Sequence, residues 1–429
     1  MSQNTAFVIY YYKNNIYSFN ALIGALETDQ YFDQFAIYFI PKRDELIHSL
    51  KDIINKHKLV VIGISFFTTQ LWEIYDLITT LKKKYSRKVI FLAGGPHPTG
   101  DPLGTLKLGF DIVVVGEGEE TIIELLKKID MGKDFTHIKG IAYLNESNEY
   151  FFTGKRKYIN LDDYPPFPIK NAKSGAIEIT RGCPYVCYFC QTPYISGVYP
   201  RYRSIDVICK YIKELKNHYG DLTDIRFISP NVFSYASLNG KTLNIPLLEE
   251  LLVKIKEIIA PNGRIFFGSF PSEVRPEHVI NETLELVLKY ANNDNITIGA
   301  QSGSQKILDL CHRDHTIDDV YNAVNLTIKS NLKINVDFIF GLPGESDEDI
   351  KLTINMMKDL AKLGARIRVH SFIPLPQTPF EKKSAKHLSE LYKKEIKNLI
   401  SRGYAFGDWK RQEKIALKIA GYLKNREIK

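Results

Sequence analysis

The stretch Arg181-Gly-Cys-Pro-Tyr-Val-Cys-Tyr-Phe-Cys-Gln191 holds three of the five cysteines in this 429-residue chain. Cys183, Cys187 and Cys190 follow an apolar, strand-like run with the spacing C-x3-C-x2-C. Three thiolates on one loop can hold three irons of a 4Fe-4S cluster and leave the fourth iron open to another ligand. A structural zinc site normally has four protein ligands, and no fourth Cys or His follows at close spacing. The spacing therefore favours an iron–sulfur cluster over zinc.

Strand-like and helical runs alternate from this loop toward the C-terminus. The strand-like runs are AIEITRG, DIRFISP, GRIFFGSF, ITIGAQS, INVDFIFG and RIRVHSFIP. Six repeats of strand and helix predict an open, partial (β/α)6 barrel over residues 172–380, with the chemistry at the carboxyl ends of the strands. Residues 381–429 have helical periodicity and predict a C-terminal helical cap.

The N-terminal part of the chain also alternates between strands and helices. Five apolar strand-like runs within residues 1–135 are separated by amphipathic segments, which predicts a doubly wound, flavodoxin-like or Rossmann-like α/β domain. Residues 136–171 read as a β-rich linker, and we place the domain boundary near Asn171. The fingerprint G-x-G-x-x-G is missing after the first strand, which disfavours a nicotinamide or flavin dinucleotide.

Three loops of the N-terminal domain follow neighbouring predicted strands. Their sequences, ISFFTTQ, AGGPHPTG and VVVGEGEET, resemble the cobalamin-binding domain that precedes many radical S-adenosylmethionine (SAM) enzymes. The resemblance implies that cobalamin is bound by Ser65, Phe67, Thr68, Gly94, Gly95, His97, Gly116, Glu117 and Gly118. The motif Asp-x-His-x-x-Gly is absent after the first strand, so the resemblance implies cobalamin without a histidine lower ligand. A structural role for His97, beside two prolines, is the alternative to a contact with the corrin.

The cysteine motif, with an aromatic residue before its third cysteine, resembles that of radical SAM enzymes over residues 172–380. The resemblance implies that the open iron chelates the amino and carboxylate groups of SAM. The residues implied in SAM binding are Phe189 near the adenine, Gln301 and Ser302 at the ribose, Arg313 at the carboxylate, and Ser229 with Asn231 near the amino group. The last two stand where many members have Gly-Gly-Glu, and a surface position remains the alternative for Arg313.

The combination of the two domains is similar to that of archaeal cobalamin-binding radical SAM proteins known in methanogens. It implies a cobalamin-dependent radical SAM C-methyltransferase that moves a methyl group from SAM, through methylcobalamin, to an unactivated carbon. A protein or peptide substrate such as methyl-coenzyme M reductase is implied by resemblance alone. A reductant such as ferredoxin or flavodoxin is the expected partner, and no residue is identified as catalytic.

Three other functions are weighed against methyl transfer. The first is a radical SAM reaction without methyl transfer, such as cyclisation, carbon–carbon coupling or rearrangement of a lipid or small metabolite. The second is a nonenzymatic cobalamin sensor or scaffold, which leaves the cysteine motif unexplained. The third, a methylthiotransferase, is disfavoured because a second cluster would need three more cysteines.

Composition sets the remaining expectations. The chain is 44% hydrophobic and 25% charged, which is ordinary for a globular protein. Its net charge of +8 is mild and spread along the chain, as expected for surface lysines, and it does not indicate a nucleic-acid partner. No run of eighteen apolar residues and no signal peptide are recognisable. We therefore expect a cytoplasmic protein without a membrane span.

Overall fold

The computed structural model describes residues 5–85, 88–220, 224–383 and 387–428. The chain forms two compact units. Unit 1 comprises Met1–Gly175 with Arg426–Lys429, and unit 2 comprises Ala176–Asn425. The observed architecture is the predicted one, an α/β domain followed by a partial barrel and C-terminal helices.

Unit 1 is built on a seven-stranded sheet in the order β2-β1-β3-β4-β5-β6-β7. The strands are β1 (Thr5–Tyr10), β2 (Ala36–Ile40), β3 (Leu59–Ser65), β4 (Val89–Gly94), β5 (Ile112–Val114), β6 (Ile141–Leu144) and β7 (Tyr150–Phe152). The helices are α1 (Ile16–Leu26), α2 (Arg43–Lys56), α3 (Leu71–Tyr85), α4 (Pro96–Gly100), α5 (Pro102–Lys107) and α6 (Glu119–Asp130). Strands β1 to β5 are parallel, as predicted, so that the ends of β3, β4 and β5 lie side by side.

Helical crossovers explain why the strands of unit 1 are nearly all apolar. Every residue of β1 is buried, since a parallel sheet is covered by helices on both faces. One core cluster joins apolar residues of β1, β3, α1 and α6. It includes Phe7 of β1, Ile23 of α1 and Leu125 of α6. The segment predicted as a linker adds β6 and β7 to the same sheet as antiparallel strands.

Unit 2 contains two parallel sheets and a short antiparallel pair. Its strands are β8 (Ile177–Glu178), β9 (Thr180–Arg181), β10 (Arg201–Tyr202), β11 (Asp224–Ile228), β12 (Arg264–Phe266), β13 (Asn295–Gln301), β14 (Lys333–Phe340), β15 (Arg366–Ser371) and β16 (Ala405–Phe406). The parallel sheets have the orders β12-β11-β8 and β13-β14-β15-β16, and a parallel bridge between Val274 and Ile298 lies between them. The six predicted strands are therefore all present.

Helices follow the strands of unit 2. They are α7 (Thr192–Ser196), α8 (Ile205–Tyr219), α9 (Ile245–Ile259), α10 (Asn281–Tyr290), α11 (Gln305–Leu310), α12 (Ile317–Lys329), α13 (Asp347–Leu363), α14 (Glu390–Ser401) and α15 (Trp409–Asn425). The described part of the C-terminal segment is not purely helical. Between α14 and α15, β16 pairs with β15 in parallel and covers its edge.

Candidate functional site

The cysteine loop begins directly after β9 and turns sharply at Gly182. Gly182 has a φ of 95°, and a Cβ built there would lie 2.6 Å from the Tyr199 carbonyl oxygen. Only glycine fits that combination of left-handed backbone and close approach. The Cys183 amide donates to the Gly197 carbonyl at 3.0 Å, and the Cys190 amide donates to the Cys187 carbonyl at 3.0 Å. These bonds fix the loop that carries the three thiols.

All three cysteines of the loop are free thiols in the structure. Cys187 is buried, and Cys183 and Cys190 are partly exposed. Burial raises the pKa of Cys183 to about 11, so an iron cluster would have to displace a proton from this thiol on binding. Three thiols on one loop fit the donor chemistry of an iron–sulfur cluster. Within the described ranges, no group of three or more His, Cys, Asp or Glu side chains is arranged to hold a single metal ion.

Arg313 connects the cysteine loop to the end of β13. Its Nη1 lies 3.7 Å from Cys187 Sγ, and its Nη2 donates to the Gly299 carbonyl at 2.9 Å. The buried Nε of Arg313 has no hydrogen-bond partner in the protein. A buried donor without a partner is costly, which suits a site where an anionic ligand group completes the bonding. The residue predicted to contact the SAM carboxylate therefore has a free donor beside the cysteines.

Arg275 is a second arginine at this site, and the sequence analysis did not identify it. Its guanidinium stacks 3.4 Å from the ring centroid of Tyr185, which lies between the first two cysteines. It also pairs with Glu277 and donates to the Arg313 carbonyl oxygen. Its Nη1 is buried without a hydrogen-bond partner. The available signal was the polar run Ser-Glu-Val-Arg-Pro-Glu-His beyond β12, where a barrel places functional residues.

Two of the predicted SAM-binding residues support the Arg275 loop. Asn231 is buried, its side chain lies 2.6 Å from His278 Nδ1, and its Oδ1 accepts a bond from the Arg275 amide at 3.2 Å. Ser229 Oγ accepts a bond from the Asn231 amide at 3.3 Å. Both side chains are thus engaged within the protein, and their contact with SAM stays a prediction.

Gln301 and Arg313 converge on Gly299 of β13. A Cβ built on Gly299 would overlap Gln301 Nε2 and would lie 2.8 Å from Arg313 Nη2. Gln301 itself has a φ of 71°, an uncommon conformation for a residue other than glycine. The structure therefore brings these two predicted residues together. Their roles in SAM binding stay predictions.

Ser302 and Phe189 have different surroundings. Ser302 is fully buried; its Oγ accepts a bond from the Ser304 amide and lies 3.3 Å from Thr353 Oγ1 on α13. The hydroxyl thus holds the loop after β13 against a helix. Phe189 is partly buried and packs on an apolar cluster that includes Cys311 and Phe372. The predicted ribose and adenine contacts are not tested by these positions.

The predicted cobalamin residues of unit 1 lie at the ends of β3 and β4 and in the segments that follow β3, β4 and β5. Gly95 has a φ of 92°, and a Cβ there would lie 2.5 Å from Ser65 Oγ. The loops after β3 and β4 therefore touch through a glycine. Asn15, which the sequence analysis missed, donates from its side chain to the carbonyls of Tyr10 and Ser65, each at 3.0 Å. It ties the end of β1 to the same edge.

His97 lies beneath this edge as a fully buried side chain. Its Nδ1 is 3.1 Å from Thr68 Oγ1, and its ring packs 5.3 Å from that of Phe66. Burial lowers the pKa of His97 to about 4, so the ring is neutral at pH 7. These contacts are those of a residue that supports the loop after β3. A contact between His97 and the corrin stays a prediction.

Gly116 marks open space at the same edge. It has a φ of 88°, and a Cβ built there would meet no atom within 4 Å. Its amide donates to Thr99 Oγ1 at 3.1 Å, while Glu117 Oε2 accepts a bond from the Ile159 amide at 2.9 Å. Phe67 is exposed on the neighbouring loop. A glycine with free space beside it at this edge fits a flat ligand such as a corrin.

Two family models match separate parts of the chain. Residues 177–357 match the radical SAM superfamily, and residues 20–126 match the B12 binding domain. An uncharacterized protein of Methanocaldococcus jannaschii, MJ1620, is 29% identical over 77% of this chain and 71% of its own length. An uncharacterized methyltransferase of Pyrococcus horikoshii, PH0819, is 26% identical over 74% of this chain and 68% of its own length.

A solved structure has the same fold. The radical SAM methyltransferase TsrM from Kitasatospora setae, with cobalamin and a [4Fe-4S] cluster bound, aligns with a TM-score of 0.68 at 17% identity. The alignment covers 89% of this chain and 78% of TsrM. At that identity the likeness concerns the fold alone. None of the described helices is both long and apolar enough to span a membrane.

Proposed function

We propose that this chain is a cobalamin-dependent C-methyltransferase, because it is a radical SAM protein with a B12-binding domain ahead of its radical SAM domain. The methyl group would come from SAM and would be placed on an unactivated carbon. One observation carries the proposal: the three free thiols of the cysteine loop lie beside Arg313, whose buried Nε has no partner. That arrangement suits a cluster that also binds a small anionic ligand.

Each residue of this site has a separate task in the proposed reaction. When bound, the cluster and SAM supply a radical that removes hydrogen from carbon, and cobalamin supplies the methyl group. Cys183, Cys187 and Cys190 hold the cluster. Arg313 holds the SAM carboxylate through Nε, while its Nη2 remains bonded to the Gly299 carbonyl. The guanidinium thereby orients SAM before the chemical step.

Arg275 acts on the reaction through other residues and is a positioning residue. Its stacking on Tyr185 and its bond to the Arg313 carbonyl connect the cysteine loop to the Arg313 loop. Movement of the cysteine loop would therefore move Arg313 with it. This coupling keeps the cluster and the SAM carboxylate site at a constant separation.

In unit 1, we propose that the glycines after β4 and β5 let the corrin approach the backbone. Gly116 has the free space that such an approach requires. His97 is buried and holds Thr68, so we propose that it supports the site without ligating cobalt. The lower cobalt face would then lack a histidine ligand from this chain.

The acceptor that we propose is a carbon of a protein or peptide, such as methyl-coenzyme M reductase, with ferredoxin or flavodoxin as the reductant. Support for this substrate comes from the resemblance to methanogen proteins, and MJ1620 is one such relative. A radical reaction without methyl transfer is the competing proposal. The two differ in the fate of the SAM methyl group.

The test is an anaerobic reconstitution with iron, sulfide and cobalamin, followed by incubation with methyl-deuterated SAM and a reductant. Deuterated methylcobalamin, S-adenosylhomocysteine and deoxyadenosine, detected by mass spectrometry, are the expected products. Deoxyadenosine without S-adenosylhomocysteine would favour the competing radical reaction. If neither deoxyadenosine nor S-adenosylhomocysteine is formed, both proposals are contradicted and a cobalamin sensor is favoured.

A pair of cysteine variants controls for nonspecific loss of activity. Cys187→Ala removes a cluster ligand and should abolish deoxyadenosine formation. Cys209→Ala changes a buried cysteine of α8, away from the cysteine loop, and should retain it. Equal loss in both variants would mean that the cysteine loop has no special part in the reaction.

A further inference from the structure

Four titratable side chains of unit 2, here called the strand-face cluster, have no role in the site described above, although the charge of Arg313 acts on one of them, Glu273. They are Glu273, Asp337, Arg368 and His370. Asp337 of β14 and Arg368 of β15 are direct neighbours in the strand register, and His370 is two residues further on the same face. The residues that alternate with them are buried and apolar, namely Val336, Phe338, Ile367 and Val369. The polar face of this sheet is therefore not part of the hydrophobic core.

Asp337 is the centre of the strand-face cluster. Its Oδ2 lies 3.5 Å from Arg368 Nη1 and 3.6 Å from His370 Nε2. Arg368 Nη1 is also 3.5 Å from Glu273 Oε1. These separations exceed the 2.7–2.9 Å that is typical of a tight charge-assisted hydrogen bond. Asp337 is only 5% exposed, and its other oxygen, Oδ1, is buried and has no hydrogen-bond partner.

His370 is oriented by a residue of the C-terminal helix. Gln412 Oε1 accepts a bond from the Ser371 amide at 2.9 Å, which fixes the orientation of the Gln412 amide. Its Nε2 then faces His370 Nδ1 at 3.2 Å and donates to it. In the neutral imidazole the proton must therefore lie on Nε2, which faces Asp337. The ring occupies one side of the carboxylate and leaves Oδ1 open.

The charges of the strand-face cluster favour a cationic ligand. Two carboxylates share one guanidinium, and the groups that act on Glu273 are Asp337, Arg368, His370 and Arg313. Burial, followed by the charge of Asp337, raises the pKa of Glu273 to about 7. A bound cation would stabilise the charged form of both carboxylates, whereas a bound anion would be repelled by both. A neutral hydroxyl would satisfy the open oxygen without this electrostatic stabilisation.

We propose that the strand-face cluster binds a primary amine of the substrate, with Asp337 Oδ1 accepting a hydrogen bond from the ammonium group. The inference rests on the proposed function only in calling the ligand a substrate. Binding of the amine needs neither SAM nor a reductant. It can therefore be tested separately from methyl transfer.

The experiment measures binding of n-pentylamine to the full-length, cluster-reconstituted protein by saturation-transfer NMR, with n-pentanol and pentanoate as matched probes. The amine should bind, and the alcohol and the acid should not. Because a hydrogen bond to a charged group is lost, Asp337→Asn should raise the dissociation constant of the amine by about tenfold or more. Asp359→Asn, an exposed residue of α13 that pairs with Lys362, should leave it unchanged.

Three outcomes would overturn the proposal: no binding of the amine to the wild-type protein, equal binding of n-pentanol, or equal binding of the amine to Asp337→Asn. Thermal unfolding and the cluster absorbance show whether the variant is folded. If it is not, the comparison of amine and alcohol on the wild-type protein still decides. Deoxyadenosine formation is assayed in parallel, so a failure of the proposed function is visible independently of amine binding.

Discussion

Arg313 Nη1 lies 3.7 Å from Cys187 Sγ, and the same guanidinium donates through Nη2 to the Gly299 carbonyl at 2.9 Å. Burial by itself would lower the pKa of Arg313, but the nearby Cys187 sulfur, together with Glu277 and Cys183, more than offsets this, and the pKa is raised. The arginine therefore stays charged although it is enclosed. One cation thus connects a proposed cluster ligand with the strand end that is expected to face SAM.

Replacing Arg313 should change the electronic properties of the cluster. In Arg313→Gln the positive charge beside Cys187 is lost, and reduction would add negative charge without compensation. We expect the reduction potential to fall by an amount on the order of tens of millivolts, since charge and hydrogen bonds to sulfur set this potential. A redox titration followed by electron paramagnetic resonance measures it.

The control for that titration is Arg411→Gln. Arg411 lies on α15, its side chain is 83% exposed, and its partner is Asp408. Its replacement should leave the potential unchanged. A potential that is the same in Arg313→Gln and the wild type would show that Arg313 does not act on the cluster.

Gly299→Ala should weaken both SAM binding and the fold. The added Cβ would overlap Gln301 Nε2 and approach Arg313 Nη2, both of which end flexible side chains. The side chains can move aside, so we expect a loss of about 1–2 kcal/mol in the free energy of unfolding, at the low end for an overpacked site. The SAM dissociation constant, measured by equilibrium dialysis with the reconstituted protein, should rise several-fold, which is about 1 kcal/mol.

Gly421→Ala is the matched control for this substitution. Gly421 lies within α15, and a Cβ there meets no atom within 4 Å. Alanine is the better helix former by about 1 kcal/mol, so this variant should be at least as stable as the wild type. Its SAM affinity should not change. If Gly299→Ala binds SAM as tightly as Gly421→Ala does, the crowding at Gly299 has no bearing on SAM.

The features that the sequence predicted are local ones. Cys183, Cys187 and Cys190 could be identified from their spacing, and the strands from their apolar runs, because each signal lies within about ten residues. Arg275 was missed because its role depends on Tyr185 and Arg313, which are distant in the chain. Only the folded chain brings the three together.

The same reason explains two differences in the sheets and why the strand-face cluster has no signature in the sequence. The linker strands β6 and β7 join the first sheet by antiparallel pairing, which no local pattern reveals. Strand β16 has only two residues. Asp337 and Arg368 are neighbours through the register of β14 and β15, so their proximity could not be inferred from either segment alone.

Two glycines of unit 1 should respond differently to alanine. At Gly95 the Cβ would lie 2.5 Å from Ser65 Oγ and 3.2 Å from the Phe66 amide nitrogen, so we expect a loss of about 2–4 kcal/mol from strain and crowding together. At Gly116 no atom is near, and the left-handed backbone alone should cost about 1–2 kcal/mol. Urea unfolding of the apoprotein, followed by circular dichroism, measures both values.

Cobalamin affinity separates the roles of these glycines further. The Gly116→Ala methyl group would occupy the free space where we propose that the corrin lies, so cobalamin binding should weaken although the fold remains. Titration of the variant with hydroxocobalamin, followed by absorbance, tests this. Unchanged affinity in a folded Gly116→Ala protein would place the corrin elsewhere.

His97 should make the apoprotein sensitive to acid. Its pKa is lowered by burial from 6.5 to about 4, so protonation is disfavoured in the folded state relative to the unfolded state. Because the pKa of His97 is lower in the folded state, its contribution to stability is complete above the pKa of the unfolded state. This contribution is lost as the pH falls through the pKa of the folded state. The loss should therefore fall between about pH 6.5 and pH 4, and a shift of this size corresponds to roughly 3 kcal/mol.

The measurement compares wild type, His97→Gln and His137→Gln by urea unfolding at pH 7 and at pH 4. His97→Gln is expected to be less stable at pH 7, because glutamine does not reproduce the packing against Phe66. Its stability should change less with pH, because the titrating group is gone. His137 has a side chain that is 94% exposed, so His137→Gln should follow the wild type at both values. If the wild type and His97→Gln lose the same free energy on acidification, the buried ring does not couple protonation to folding in unit 1.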